Sequence, residues 1–135
     1  MNSRADDEAA VNAVLADSYK AWEAGDAEGM VADYTEDATA VMPGSLREGR
    51  DAIRDAMALG FAGPLKGTST HDRRLGIRFA GRDVAVVISE AGILFPGQKE
   101  VPEAGKVNCT WVFEKRDGRW LIAAYHNSPV SAPVR

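Results

Sequence analysis

Without metal or nucleotide motifs, proton transfer in a protein falls to histidines and desolvated carboxylates, and this sequence places few of them usefully. Its two histidines are His71 and His126. His126 ends the run Gly118-Arg-Trp120-Leu-Ile122-Ala-Ala-Tyr125-His126, in which alternate residues share one face of a strand. That alternation puts His126 on the side of Trp120 and Ile122, where an imidazole of ordinary pKa about 6.5 is suited to act as general acid or base. Its competing role is a hydrogen-bonded strand-end residue that does no chemistry. Glu90 follows Val84, Val86 and Ile88 at alternate positions. If that face is internal, desolvation raises the carboxyl pKa and makes Glu90 a proton donor or a proton-sharing partner of a histidine; if external, it is a solvated edge charge. Asn127 joins these two as an orienting hydrogen-bond group.

A second set of residues suits binding. Tyr19, Trp22, Tyr34 and Trp111 each offer a flat apolar surface with one polar tip, as pocket lining or as plain core. His71 falls at a pocket rim or in solvent, and Asp72, of opposite parity, pairs with an arginine such as Arg74. Asn108 and Asn127, near opposing strand ends, either bond a substrate carbonyl or satisfy the chain where it leaves the sheet. Cys109 has no neighbouring base and reads as a small buried apolar residue. One cysteine and two distant histidines make no zinc-ligand pattern, and phosphate-cradling or dinucleotide motifs are absent, so no cofactor is expected.

Elements that position these residues follow from periodicity. Val11, Val14, Leu15, Ser18, Tyr19 and Trp22 recur at helical spacing, with Asp6, Asp7 and Glu8 at the positive end of the helix dipole. Gly25-Asp26 ends this helix and caps a short second one carrying Met30, Val31 and Tyr34 on its buried side. A short strand lies within residues 35–44, and Arg47-Glu48-Gly49-Arg50-Asp51 leads into a third helix with Ile53, Met57 and Phe61 on one face. From Gly67 the period becomes alternating. Two antiparallel hairpins follow, the second turning at Asp117-Gly118, a pair suited to positive φ angles. With that turn, Phe113 opposes Ile122, Trp111 opposes Ala124, and Cys109 opposes His126. Helices preceding a run of strands predict an α+β fold in which a curved sheet and helices enclose a cone with an apolar mouth.

The 135 residues fit one domain spanning 1–135, with residues 128–135 a proline-containing tail. A net charge of −4 argues against a nucleic-acid binder, which needs clustered positive charge to displace counterions. A lone cysteine, no signal-peptide pattern and no bilayer-length apolar run predict a cytoplasmic protein off the membrane.

Trp22-Glu-Ala-Gly25-Asp26, Tyr34-Thr-Glu-Asp37-Ala38-Thr39, Gly49-Arg-Asp-Ala-Ile53 and Gly118-Arg-Trp120-Leu-Ile122-Ala-Ala-Tyr-His126-Asn127-Ser-Pro129 resemble the nuclear transport factor 2-like superfamily, which includes ketosteroid isomerases and SnoaL-like polyketide cyclases. The ending His-Asn-Ser-Pro is similar to the SgcJ/EcaC branch, one member of which accompanies enediyne polyketide biosynthesis. This resemblance implies a cone-shaped fold and a homodimer pairing through its sheets. In ketosteroid isomerases an aspartate before a proline is the base; the matching position here is Met42, which takes no proton. Their oxyanion-stabilising tyrosine falls on Ser18, beside Tyr19. The acid/base aspartate of SnoaL-like cyclases has no counterpart, since His126 and Asn127 occupy its region.

Three readings therefore stand. The first is a protein that binds a hydrophobic polyketide-like or polyene molecule in the cone pocket and assists its cyclisation, isomerisation or dehydration without cofactor, in enediyne-type biosynthesis, with His126 moving the proton and Glu90 or Asn127 orienting it. The second is a non-catalytic binder or accessory of a polyketide synthase or other biosynthetic enzyme, and the third is a dimerisation module.

Overall fold

A computed structural model describes residues 3–131. Its order is α1 (Arg4–Glu23), α2 (Ala27–Met30), β1 (Tyr34–Met42), β2 (Ser45–Glu48), α3 (Arg50–Ala62), β3 (Ser69–Phe79), β4 (Val84–Leu94), β5 (Val107–Arg116) and β6 (Arg119–Pro129), with a single 3-10 turn at Glu103–Gly105. The strands form one sheet in the order β2-β1-β6-β5-β4-β3, antiparallel except where β1 runs parallel to β6. The expected α+β architecture holds, with the N-terminal helices packed on a curved mixed sheet.

Ser3 caps α1, accepting from the Asp6 amide at 3.1 Å, while the Asp6 carboxylate accepts from the Ser3 amide at 3.3 Å. Asp7, Val11, Leu15 and Ser18 form the buried stripe of α1. Asp7 thus does more than complement the helix dipole. It accepts from Trp120 Nε1 at 3.1 Å and Lys115 Nζ at 3.3 Å and pairs with Arg4 at 3.5 Å, tying the first helix to the last hairpin. Gly25, at φ 66°, ends the helix in the left-handed region, and the Asp26 side chain caps α2 through the Gly29 amide at 2.9 Å.

Tyr34 does not continue α2; it opens β1. The turn at Pro43-Gly44 joins β1 to β2, so residues 45–48 are paired strand, not a helix lead-in. One strand more than expected forms, and it is this β2 that closes one edge of the sheet.

The Asp117-Gly118 turn forms with φ of 51° and 77°, the signature of a primed two-residue turn, and Phe113 opposes Ile122. Beyond that pair the register changes. Ala124 opposes Val112, leaving Ala123 as an extra residue, a β-bulge. Trp111 therefore faces Tyr125, Cys109 faces Asn127, and His126 faces Thr110. Trp120 and Ile122 remain in the core while His126 moves to the opposite, outer face and is exposed. Leu75 is a second extra residue, since Arg74 opposes Ser89 but Gly76 opposes Ile88. It leaves Ile77 inward, Leu75 49% exposed and His71 outside. β6 extends through Ser128 and Pro129, so the expected tail begins later, and its residues 132–135 lie outside the described chain.

Candidate functional site

Concave sheet face and helices enclose a cavity of about 220 Å³. One row of side chains crosses its floor: Arg47 on β2, Ala40 on β1, Tyr125 on β6 and Trp111 on β5 stand in register. Tyr19 and Trp22 descend from α1, Tyr34 from the start of β1, and Met57 from α3. The volume lies below the range of about 300–1,000 Å³ usual for drug-sized ligands, so the space suits a small molecule.

Aromatic contacts hold these walls. Trp111 packs edge-on to Tyr19 with centroids 6.1 Å apart and lies 4.3 Å from the Tyr125 ring. Trp22 sits edge-on to Phe61 at 5.5 Å and donates its indole N–H to Thr68 Oγ1 at 3.0 Å. By contrast the Trp111 indole N–H, in a residue only 5% exposed, has no partner among the described residues.

Polar groups fall into two sets. Tyr19 donates its hydroxyl to Asp72 Oδ2 at 2.7 Å, and Asp72 also lies 3.7 Å from Arg74, the pairing anticipated from parity. Asn127 Nδ2 donates to Tyr125 Oη at 2.8 Å, and that hydroxyl lies 3.3 Å from Cys109 Sγ. Asn127 Oδ1 is buried without a partner. Burial, reinforced by the Asp72 carboxylate, pushes the Tyr19 phenol well above its usual range, and burial does the same to Tyr125. Burial raises Tyr34 to about 12, against the opposing pull of Ser18 and the Arg47 guanidinium. Burial also raises the Cys109 thiol, which keeps it protonated and a poor nucleophile.

The structure brings five expected residues together around this cavity: Tyr19, Trp22, Tyr34, Trp111 and Asn127. Four others lie elsewhere. His126 and Asn108 are exposed on the outer face; Glu90 lies on that face 3.4 Å from Arg73; and His71 shares a separate open depression with Glu90 and Arg73. Glu90 pairs with Arg73 because Ala85, Val87, Ser89 and Ala91 are the buried parity of β4. His126 and Glu90 therefore line no common space with the aromatic set. Met42 and Ser18, at the positions matching the ketosteroid isomerase base and tyrosine, do line the cavity. The base position is inside; its residue is a thioether.

Two polar cavity residues, Tyr125 and Arg47, escaped the sequence reading. Tyr125 was assigned the outer parity because the Ala123 bulge was not anticipated. Arg47 was read as lead-in to α3, although Ala40/Met42 and Ser45/Arg47 alternate about the Pro43-Gly44 turn as a hairpin does. No three His, Cys, Asp or Glu side chains gather as a metal-ligand set among the described residues, and none of their helices is long and apolar enough to cross a membrane.

Known folds resemble this one closely. A domain of unknown function with a cystatin-like fold from Nostoc punctiforme superposes with TM-score 0.87 at 26% identity, over 97% of this chain and 81% of that one. A nuclear-transport-factor-2-like protein with a cystatin-like fold from Novosphingobium aromaticivorans gives 0.80 at 17% identity, over 94% and 84%. Another such protein, of unknown function, from Shewanella oneidensis gives 0.75 at 22% identity, over 90% and 98%. No curated protein matches the sequence. The SnoaL-like domain model matches residues 11–133, and with the cystatin-like architecture and the cavity between helices and concave sheet, the chain belongs to the SnoaL-like domain family.

Proposed function

We propose that this protein binds a hydrophobic small molecule, of the short polyene or polyketide-like kind, inside its cone, as a cytoplasmic binding or accessory protein of natural-product biosynthesis. The observation that carries this reading is the cavity itself: about 220 Å³, walled by Tyr19, Trp22, Met30, Met57 and Trp111, with two buried polar atoms, Trp111 Nε1 and Asn127 Oδ1, left without protein partners. A buried polar atom without a partner costs about 1–3 kcal/mol, and a ligand that pairs with it recovers part of that cost. The narrower link to the SgcJ/EcaC branch and to enediyne-type chemistry is supported by the His126-Asn127-Ser128-Pro129 ending alone. A catalytic reading, cofactor-free cyclisation, isomerisation or dehydration, draws support from Tyr19, whose hydroxyl is oriented by Asp72 on the cavity wall. His126 and Glu90, on the outer face, give that reading no help.

Pairing of two copies through the outer sheet face belongs to the same proposal. Leu46, Val41 and Ile88 are 62%, 37% and 36% exposed there, and Val86 and Val112 stand beside them. An apolar sheet face of this extent is a familiar mark of an interface.

Native mass spectrometry of protein taken gently from its producing host, with polyene extracts added, tests binding and pairing together. A dimer carrying an unchanged polyene supports the binder. A released mass changed by water or hydrogen supports the enzyme, and a monomer that carries nothing overturns the proposal.

A further inference from the structure

Arg47 differs from every other charged group near the cavity. It is the one formally charged side chain among the described residues that line it. Its place is set by register: it opposes Ala40, whose small side chain leaves room between the guanidinium and Tyr125 in the same inward row. Among the described residues every arginine except Arg47, Arg78 and Arg82 lies within 3.8 Å of a carboxylate oxygen, and Arg78 and Arg82 are exposed. Arg47 is half-buried, and its one hydrogen-bond partner among the described residues is the Met57 thioether, with Nη1 3.3 Å from Sδ.

Sulfur is a weak acceptor, and a guanidinium carries five N–H donors in a planar fork. Such a group held against apolar walls loses hydration without gaining a counter-charge, an arrangement that costs stability unless an anion arrives from outside. The fork matches the two oxygens of a carboxylate. A second observation points the same way: the Trp111 indole N–H, in the same row of the cavity floor, is buried without an acceptor. Cation and orphan donor both call for an oxygen-bearing, negatively charged group. Asp72 does not supply it, because it is engaged by Tyr19 and Arg74 and is not a lining residue.

We propose that Arg47 is the anchor of the cavity for the carboxylate of a small unsaturated or aromatic acid, whose apolar body lies against Trp22, Met30, Met57 and Trp111. This inference rests on the ligand-binding reading and sharpens it. A free acid is the ligand class, in preference to a neutral ester, amide or thioester of the same carbon skeleton.

The matched probes are trans-cinnamate and its neutral isostere cinnamamide, titrated calorimetrically at neutral pH into the wild-type protein, Arg47→Met and Arg47→Lys. Melting curves establish that each variant is folded. Charge-assisted hydrogen bonds predict that the wild type binds the acid about tenfold or more tightly than the amide. In Arg47→Met that preference vanishes while amide affinity is retained, and Arg47→Lys restores part of it. Equal affinity for acid and amide in the wild type, or an unchanged preference in folded Arg47→Met, overturns the role of Arg47 and leaves the cavity reading standing. Failure of both probes to bind overturns the cavity reading at this ligand size, and the anchor with it.

Discussion

Among the charged side chains that turn inward from the shell of this fold, Asp7 and Arg47 are treated in opposite ways. Asp7, 4% exposed, receives the Trp120 indole N–H, the Lys115 amine and the Arg4 guanidinium. Among the described residues Arg47 donates only to a methionine sulfur. A buried charge enclosed by its complement belongs to the structure, because the desolvation it suffered on folding is offset within the chain. A half-buried charge without a complement weakens the fold, and the carboxylate ligand proposed above would supply that complement. Asp72 lies between these extremes, closed by Tyr19 and Arg74 at the back of the cavity wall.

The sharpest way to break this contrast is to remove each charge. Asp7→Ala strands the Lys115 ammonium and the Trp120 N–H and is expected to give the largest fall in Tm of the set. Arg47→Met, which replaces an unpaired charge by an apolar chain of similar length, is expected to leave stability unchanged or raise it by about 1 kcal/mol in denaturant melts. An Arg47→Met loss as large as that of Asp7→Ala would make Arg47 a structural residue.

Acid titration sharpens the Asp7 side. The hydrogen bond from Trp120, with Lys115 and Arg4 adding to it, holds the Asp7 carboxyl below its ordinary value of 3.8. A depressed carboxyl contributes stability that is present above the unfolded value and lost as pH falls through the folded one. Melting temperatures of the wild type should therefore drop below about pH 4. Asp7→Asn should start lower and show a shallower acid limb.

Tyr19→Phe tests the intermediate case: Asp72 loses its shortest donor, at a cost of about 1 kcal/mol, with the cavity shape kept. Denaturant melts measure it, and no loss would mean that the Tyr19–Asp72 bond contributes nothing. Alkaline difference absorbance probes all three tyrosines at once, since burial raises each of them. Neutral phenols stabilise the fold fully below the unfolded value near 10, and that contribution is lost as pH rises from there, for Tyr34 through about 12. Native protein should show no phenolate at pH 10; an early absorbance rise without unfolding would contradict the enclosed cavity. The smallest expected effect on ligand binding is that of His126→Ala, which should leave affinity within error, because the imidazole lies on the outer face, away from the cavity.

How much of this was legible varies by residue. The α1 stripe, the Asp117-Gly118 turn and the Phe113–Ile122 pair are written in the sequence, because helical spacing, positive φ and bulky alternation are local properties. The same signals offer Tyr19, Trp22 and Trp111 as lining or plain core, whereas Tyr34, expected on α2, reaches the cavity from β1. Failures came where one residue was inserted without disturbing the pattern. Ala123 and Ala124 are small enough for either face, so nothing local shows which is the bulge; Leu75-Gly76 has the same ambiguity. Each bulge inverts the parity of all that lies beyond it, which exchanged His126 for Tyr125 and Asn127 and sent His71 outside.

The sequence by itself determined the element types, the helix-then-sheet order and the apolar character of the inner face, since these follow from short-range periodicity. Only the tertiary structure decided which polar groups meet. Asp7 finds Trp120 across 113 positions and Tyr19 finds Asp72 across 53, contacts set by how helix and sheet dock. Arg47 acquires its solitude in the same way: the β1–β2 pairing turns it inward, and among the described residues no other element that reaches the cavity brings a carboxylate to it.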